Sequence, residues 1–394
     1  MSVLQQILPQ STIEEGLGDV FYMRYSPDFK YLAVGCNDGG TRLYNLPSKK
    51  FLYGFDMKQP NGFPVTSIRF RPIQASQYPA ILIVSADGFV RHWHLTTGKL
   101  MHIIKEQDNQ VLALDYNAFG TQFATVGSDR CIRIYDESTK TVAYTLNNPE
   151  SYQVHHSNRV FCLKFHPLQT NMLLSGGWDN TLQIWDLRTK APARMIFGPH
   201  LCGDSLDVHE DEILTGSWRT GNQLQLWDFN SANLIHTYQF PAEEIKIIKQ
   251  AEQPEALEKE SPIKEGNDAP KLSKSASKEG LGTPKLSKSS SQPLVGIPKL
   301  QRSQSSILRT ANVQPYYARF IEPQKTGGKS KTDKVYIVAG GSGSNESFVF
   351  DYTTRKPIQK YVSERELFTC DISDEQYAIG GADRSVLFLD FPQK

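Results

Sequence analysis

The sequence is poor in the residues and spacings that usually announce chemistry. Its five cysteines, Cys36, Cys131, Cys162, Cys202 and Cys370, are odd in number and scattered through 394 residues, with no Cys-x-x-Cys pair and no histidine spacing suited to zinc. They read as reduced core thiols, which excludes a disulfide framework and a structural metal. His155-His156 and His92/His94 supply two ligands each, too few to close a tetrahedral site. No run stays apolar for the ~18 residues of a membrane span, and the first residues lack the basic-then-apolar layout of a signal peptide. The expectation is a cytoplasmic chain with no membrane partner. P-loop, Gly-x-Ser-x-Gly and His-Glu-x-x-His motifs are all absent, so the chain reads as non-catalytic, with no cofactor and no metal.

What the sequence does have is a repeat. Its clearest copy, His156 to Asp186, holds an apolar run (Val160, Phe161, Leu163, Phe165), a His-Pro turn and a second run (Met172, Leu173, Leu174). A Gly-Gly-Trp-Asp-Asn turn follows, then a third run ending in Trp185-Asp186. Apolar positions at period two with turn residues between them predict three antiparallel strands.

This unit resembles the WD repeat, the blade of a β-propeller. The resemblance implies a hydrogen-bonded tetrad of His156, Ser175, Asp179 and Trp185. The third-strand ending recurs at Tyr44-Asn45, Trp93-His94, Tyr135-Asp136, Trp185-Asp186, Trp227-Asp228, Phe350-Asp351 and Leu389-Asp390, with spacings of 49, 42, 50, 42, 123 and 39 residues. In five copies an Asp stands six positions before the ending: Asp38, Asp87, Asp129, Asp179 and Asp383. Blades five and six lack that Asp, which puts their polar networks in question but not their strands. The fold expected is all-β, a seven-bladed WD-repeat propeller in residues 1–240 and 315–394, interrupted between blades five and six by a long disordered insertion at 241–314. The last copy stops after its third strand, so an N-terminal strand at Val3 to Leu8 is expected to complete it and remove a free sheet edge. The Gly-Gly pairs at 39, 176, 340 and 380 are expected in turns that need positive φ.

The insertion carries three copies of a Pro-Lys-Leu element beginning at Pro270, Pro284 and Pro298, 14 residues apart. Residues 266–310 hold eight basic and two acidic side chains, among them Lys271, Lys274, Lys285, Lys288, Lys299 and Arg302. Such a segment cannot bury enough apolar surface to offset its chain entropy. As a basic arm it is expected to add repeated weak contacts to an acidic surface such as the microtubule wall. Its ten serines would let phosphorylation cancel the charge. No stacking platform supports a nucleic-acid partner. A second low-complexity stretch, Pro323 to Lys334, reads as a surface loop.

The resemblance implies a scaffold that binds partner proteins. The residues expected to do so lie on the face of the second-to-third-strand turns: Trp178 and Trp218 side by side on adjacent blades, with Arg219, Arg130 and Arg384. The same tryptophans could instead lie flat over their own blades. The segments Gly198 to Asp207, Ile213 to Arg219 and Leu224 to Phe229 resemble a subgroup of WD-repeat proteins met in ciliated and flagellated single-celled organisms, which implies tubulin or axonemal proteins as partners and the cytoskeleton or cilium as the setting. The alternative rests on Trp185-Asp186-Leu187-Arg188, which resembles the box that docks substrate receptors to cullin-RING ubiquitin ligases and would make Arg188 the contact. The other reading of Asp-x-Arg is a tie from the strand end to a neighbouring turn.

Overall fold

A computed structural model describes residues 4–14, 16–55, 62–72, 79–146, 155–245, 307–310, 312–322, 334–374 and 376–392, and every regular element among them is a strand. The chain divides into two units, residues 1–242 with 310–394 and residues 243–309. In the second, the described residues sit at its two ends, in a ribbon of Ala242–Ile245 and Ile307–Thr310. The insertion expected to be disordered therefore begins as a strand. The Pro-Lys-Leu copies and residues 323–333 lie outside the described residues.

The first unit is built from seven antiparallel blades of four strands; five stand as separate sheets, while blades five and six are joined through a parallel pair, Asp204 with Tyr317, into one nine-stranded sheet that also takes in Gln5–Gln6. Their innermost strands are Val20–Tyr25, Val65–Phe70, Val111–Tyr116, Val160–Phe165, Leu201–His209, Val313–Ile321 and Leu367–Ile372. Each innermost strand packs on the next, and the seventh packs on the first. All seven third-strand endings named from the sequence close their third strands.

Seven apolar clusters hold the ring, one at each junction between blades. Between blades one and two, for example, Leu43, Phe55, Val65, Ile68 and Trp93 are buried together. Each blade is apolar on both faces, so it is stable only with a neighbour on each side. A closed ring provides this without leaving an exposed sheet.

Closure uses an N-terminal strand, but not the expected residues. Ser11–Ile13 pairs antiparallel with Val386–Asp390, and buried Ile13 joins the cluster between blades seven and one. From the stretch Val3 to Leu8, Gln5–Gln6 instead runs parallel to Gln359–Lys360 on the outer strand of blade six. The longer apolar run was the wrong guide. A three-residue outer strand needs one inward side chain, and Ile13 supplies it.

Most of the Gly-Gly pairs serve close approach rather than positive φ, the exception being Gly39 at φ 81. A Cβ on Gly177 would lie 2.1 Å from the Arg159 carbonyl oxygen, and one on Gly381 would lie 2.0 Å from that of Glu366. The second strand must pass this near to the residue that leads into the innermost strand.

Candidate functional site

The polar parts of the blades fix their turns. In blade four the buried His156 Nδ1 lies 2.7 Å from Asp179 Oδ2 and its Nε2 lies 2.7 Å from Ser175 Oγ, while the Trp185 indole donates to the same hydroxyl at 2.8 Å. Burial pushes the Asp179 carboxyl up, and the hydrogen bonds from His156 and Thr181 more than offset it, leaving it below its usual value. Each turn Asp accepts the backbone N–H two residues on: Asp38 from Gly40 at 2.8 Å, Asp87 from Phe89 at 3.0 Å, Asp129 from Cys131 at 3.1 Å, Asp179 from Thr181 at 3.1 Å and Asp383 from Ser385 at 3.3 Å.

Blades one to three satisfy the turn Asp with a different partner. An arginine four residues on takes that role, as Arg42 with Asp38 at 3.1 Å, Arg91 with Asp87 at 2.6 Å and Arg133 with Asp129. In blade three Glu106 gathers Thr125, Tyr135 and Arg133. Blade five keeps the indole bond alone, Trp227 donating to Thr215 at 2.9 Å.

A second polar system crosses the ring axis. The same register position of every innermost strand is charged: Arg24, Arg69, Asp115, Lys164, Asp207, Arg319 and Asp371 pair across to the third residue of each second strand. Three carboxylates staple the following blade by accepting a backbone N–H, Asp115 from Phe165 at 2.8 Å, Asp207 from Phe320 at 3.0 Å and Asp371 from Tyr25 at 2.6 Å. The cations bind between them, with Arg24 to Asp371 at 2.9 Å, Arg69 to Asp115 at 2.8 Å, Lys164 to Asp207 at 2.8 Å and Arg319 to Asp207 at 3.2 Å.

Four cations against three carboxylates would leave a buried charge. Asp204 supplies the missing anion, meeting Arg24 at 2.7 Å, Arg319 at 3.0 Å and Arg69 at 3.6 Å. It reaches them from an irregular stretch of blade five in which Gly203 adopts φ 65 and the register slips between Leu201 and Leu206. Burial raises the Asp204 carboxyl, but Arg24, Arg319 and Arg69 hold it far below its usual value; Asp207 is likewise brought to about 2 by Lys164 and Arg319 against burial. These groups are occupied with one another, which does not suit them to acid–base chemistry on a substrate.

The turn face carries an aromatic arc. Five innermost strands have a register shift at their second residue, Phe21, Thr66, Leu112, Phe161 and Phe368, and Val313–Ile321 has one at its fourth, Tyr316. A bulge re-aims a side chain out of the regular alternation. Ring contacts then run from blade four to blade one: Phe161 to Trp178 at 4.7 Å, Trp178 to His200 at 5.8 Å, His200 to Trp218 at 6.5 Å, Trp218 to Tyr316 at 6.3 Å, Tyr316 to Phe368 at 5.5 Å and Phe368 to Phe21 at 5.1 Å. Trp178 and Trp218 are therefore not side by side, because His200 lies between them. Both are half-buried; Trp178 leans on Phe161 of its own blade and Trp218 reaches Ser342 of blade six at 3.4 Å.

Asn180 Oδ1 accepts from Arg219 at 2.6 Å and lies 2.8 Å from His200 Nδ1. A guanidinium only donates, so the Asn atom is its oxygen and the His200 proton sits on Nδ1. Burial, then the neighbouring Arg219 charge, lowers the pKa of His200 and so favours the neutral ring. Arg130 is half-buried at φ 70, and exposed Arg384, at φ 61, meets Asp19 at 3.2 Å. Glycine fills the matching turn positions at Gly39 and Gly88, both at φ 81, so these arginines occupy backbone that suits glycine better.

Among the described residues the Arg188 side chain bonds to no neighbouring turn. It forms a two-pronged pair with its own strand-end Asp186 at 2.7 and 3.0 Å, its side chain 70% exposed. Lys271, Lys274, Lys285, Lys288, Lys299 and Arg302 lie outside the described residues. Among the described residues no group of three or more His, Cys, Asp or Glu side chains could hold a metal ion. The arginine partners in blades one to three were readable as Asp-x-x-x-Arg, but their role needs the strand hairpin that brings the two ends together.

Seven blades, shared apolar junctions and the His-Ser-Asp-Trp network define a WD-repeat β-propeller. A family model, the WD domain with G-beta repeat, matches residues 98–136 and 148–186, so the chain carries WD repeats. The first match takes in the outer strand of blade two and three strands of blade three, so the sequence repeat straddles two blades.

The chain is 25% identical to Cell division cycle 20.1, cofactor of APC complex, of Arabidopsis thaliana, over 62% of this chain and 52% of that protein. It is 22% identical to WD repeat-containing protein slp1 of Schizosaccharomyces pombe over 59% of this chain and 45% of that one. To Coronin-7 of Mus musculus it is 31% identical over 26% of this chain and 10% of that protein. It thus spans about half the length of the first two of these relatives.

Proposed function

We propose that this chain is a non-catalytic scaffold or adaptor whose turn face binds a partner protein. The aromatic arc from Phe161 to Phe21 carries that reading, because adjoining Trp, Tyr and Phe rings beside arginine form the composition of binding hot spots. A relative described as a cofactor of a complex supports it. The test compares proteins captured from native extract by the intact chain and by a Trp178→Ala, Trp218→Ala variant. Loss of specific partners with the fold retained is expected; an unchanged capture profile refutes the reading.

The finer placement is a cytoplasmic, cytoskeletal or axonemal complex in which the basic arm adds a second, phosphorylation-sensitive contact to an acidic surface such as the microtubule. The excess of eight basic over two acidic side chains in 266–310 supports it. Deleting that stretch should leave the propeller folded and remove salt-sensitive association with tubulin. The second reading, a cullin-RING substrate receptor, draws on the exposure of Arg188. It requires that Arg188→Ala abolish recovery of the cullin adaptor.

A further inference from the structure

Charge is arranged unevenly around the aromatic arc. The residue leading into the innermost strand sits at the same place in each blade: Arg159 in blade four, His200 in blade five, Glu366 in blade seven and Asp19 in blade one. Arg159 is set beside the first rings of the arc, since its carbonyl accepts from the Trp178 N–H at 3.1 Å. Both Arg159 and Arg219 are exposed, and among the described residues neither lies in ion-pair range of a carboxylate. Arg219 is held by Asn180 at 2.6 Å, which fixes the head group instead of neutralising it. The arc thus starts at a basic pole on blades four and five.

The opposite sign appears towards the other end. In blade seven Glu364 and Glu366 are exposed and flank Arg365, while Phe368 of the arc follows two residues after Glu366. In blade one Asp19, which leads into the innermost strand, is engaged by Arg384. Below the arc, the buried charges are matched four against four, so that layer adds no net sign to the mouth. What faces a partner is an apolar track with a cationic end and an acidic end.

We propose that this track docks an extended peptide segment of a partner protein. The segment has bulky apolar side chains at its centre, acidic residues over Arg159 and Arg219, and a basic residue over Glu364 and Glu366. This rests on the scaffold reading above and names the partner's chemistry. The rings supply contact area at low entropic cost, and the two poles set which way the segment lies and reject one with reversed charge. His200, hydrogen-bonded through Nδ1 to Asn180 and stacked between the two indoles, continues the ring track from one to the other.

The experiment uses the full chain and a displayed library of random peptides. Enriched sequences are expected to carry aromatic or leucine residues flanked by Asp or Glu on one side and Lys or Arg on the other. The Arg159→Glu, Arg219→Glu variant should weaken these peptides by about tenfold, and exchanging their acidic residues for lysine should restore binding to the variant. Glu364→Lys, Glu366→Lys should act at the other end only. Thermal midpoints matching that of the parent check that the variants are folded, as expected for exposed side chains. No enrichment, enrichment without charge bias, or binding indifferent to either reversal overturns the proposal. If Trp178→Ala, Trp218→Ala still abolishes capture of partners from extract, the scaffold reading survives that failure; if it does not, the scaffold reading falls separately.

Discussion

Asp204→Asn is the sharpest probe of what holds the ring together. The substitution keeps the side-chain shape but removes one of four carboxylates from a buried set with four cations, leaving Arg24, Arg69 and Arg319 without their shared anion. All of these side chains are 14% exposed or less, so water cannot take the lost partner's place. Removing one member of a buried, hydrogen-bonded ion pair costs about 3–5 kcal/mol. For a domain of this size that corresponds to a fall in Tm of about 6–15 °C. Urea unfolding followed by tryptophan fluorescence measures it directly. Adding Arg24→Met should return part of the loss, since it removes one of the stranded charges. A loss below about 1 kcal/mol, as for a surface pair, would show that the cluster is solvated and would refute the argument.

Acid should find the same network. The Asp207 carboxyl sits at about 2 against an ordinary 3.8, so its contribution is complete above pH 3.8 and is lost as pH falls towards 2; a stability profile by circular dichroism should steepen in that window, and a flat profile there would contradict it. Asp179→Ala leaves buried His156 without its acceptor and should cost about 1–3 kcal/mol, with hydrogen exchange rising first in Thr181–Asp186 and Met172–Gly177. Ile13→Asp should detach the closing strand, lower Tm and promote association through the exposed edge of Val386–Asp390; removing residues 4–8 instead should do much less, and equal effects would place closure elsewhere.

The sequence by itself determined the repeat, because its signals are local. A turn Asp accepts an N–H two residues on, and six residues later the third strand ends on a bulky apolar or aromatic residue followed by a polar one. Both are visible without knowing which blade touches which. For the same reason Asp38, Asp87, Asp129, Asp179 and Asp383 all fell in turns. The charge ring was also written locally, as Met23-Arg24-Tyr25, Ile68-Arg69-Phe70, Leu114-Asp115-Tyr116, Leu163-Lys164-Phe165, Leu206-Asp207-Val208, Ala318-Arg319-Phe320 and Cys370-Asp371-Ile372. It passed unread because the apolar neighbours dominate the pattern of a strand.

Only the tertiary structure decided the rest. Asp204 has no pattern of its own; it becomes the counter-charge because one irregular strand brings it to arginines far away in sequence, from blades one, two and six. His200 separates two tryptophans that sequence alone set side by side, because the connection into blade five passes between their turns. Ser11–Ile13, not the more apolar stretch before it, closes the ring because closure depends on where the chain reaches the edge of blade seven with one side chain directed inward. Strand identity follows from neighbours in sequence, whereas charge balance, ring stacking and closure follow from neighbours across blades.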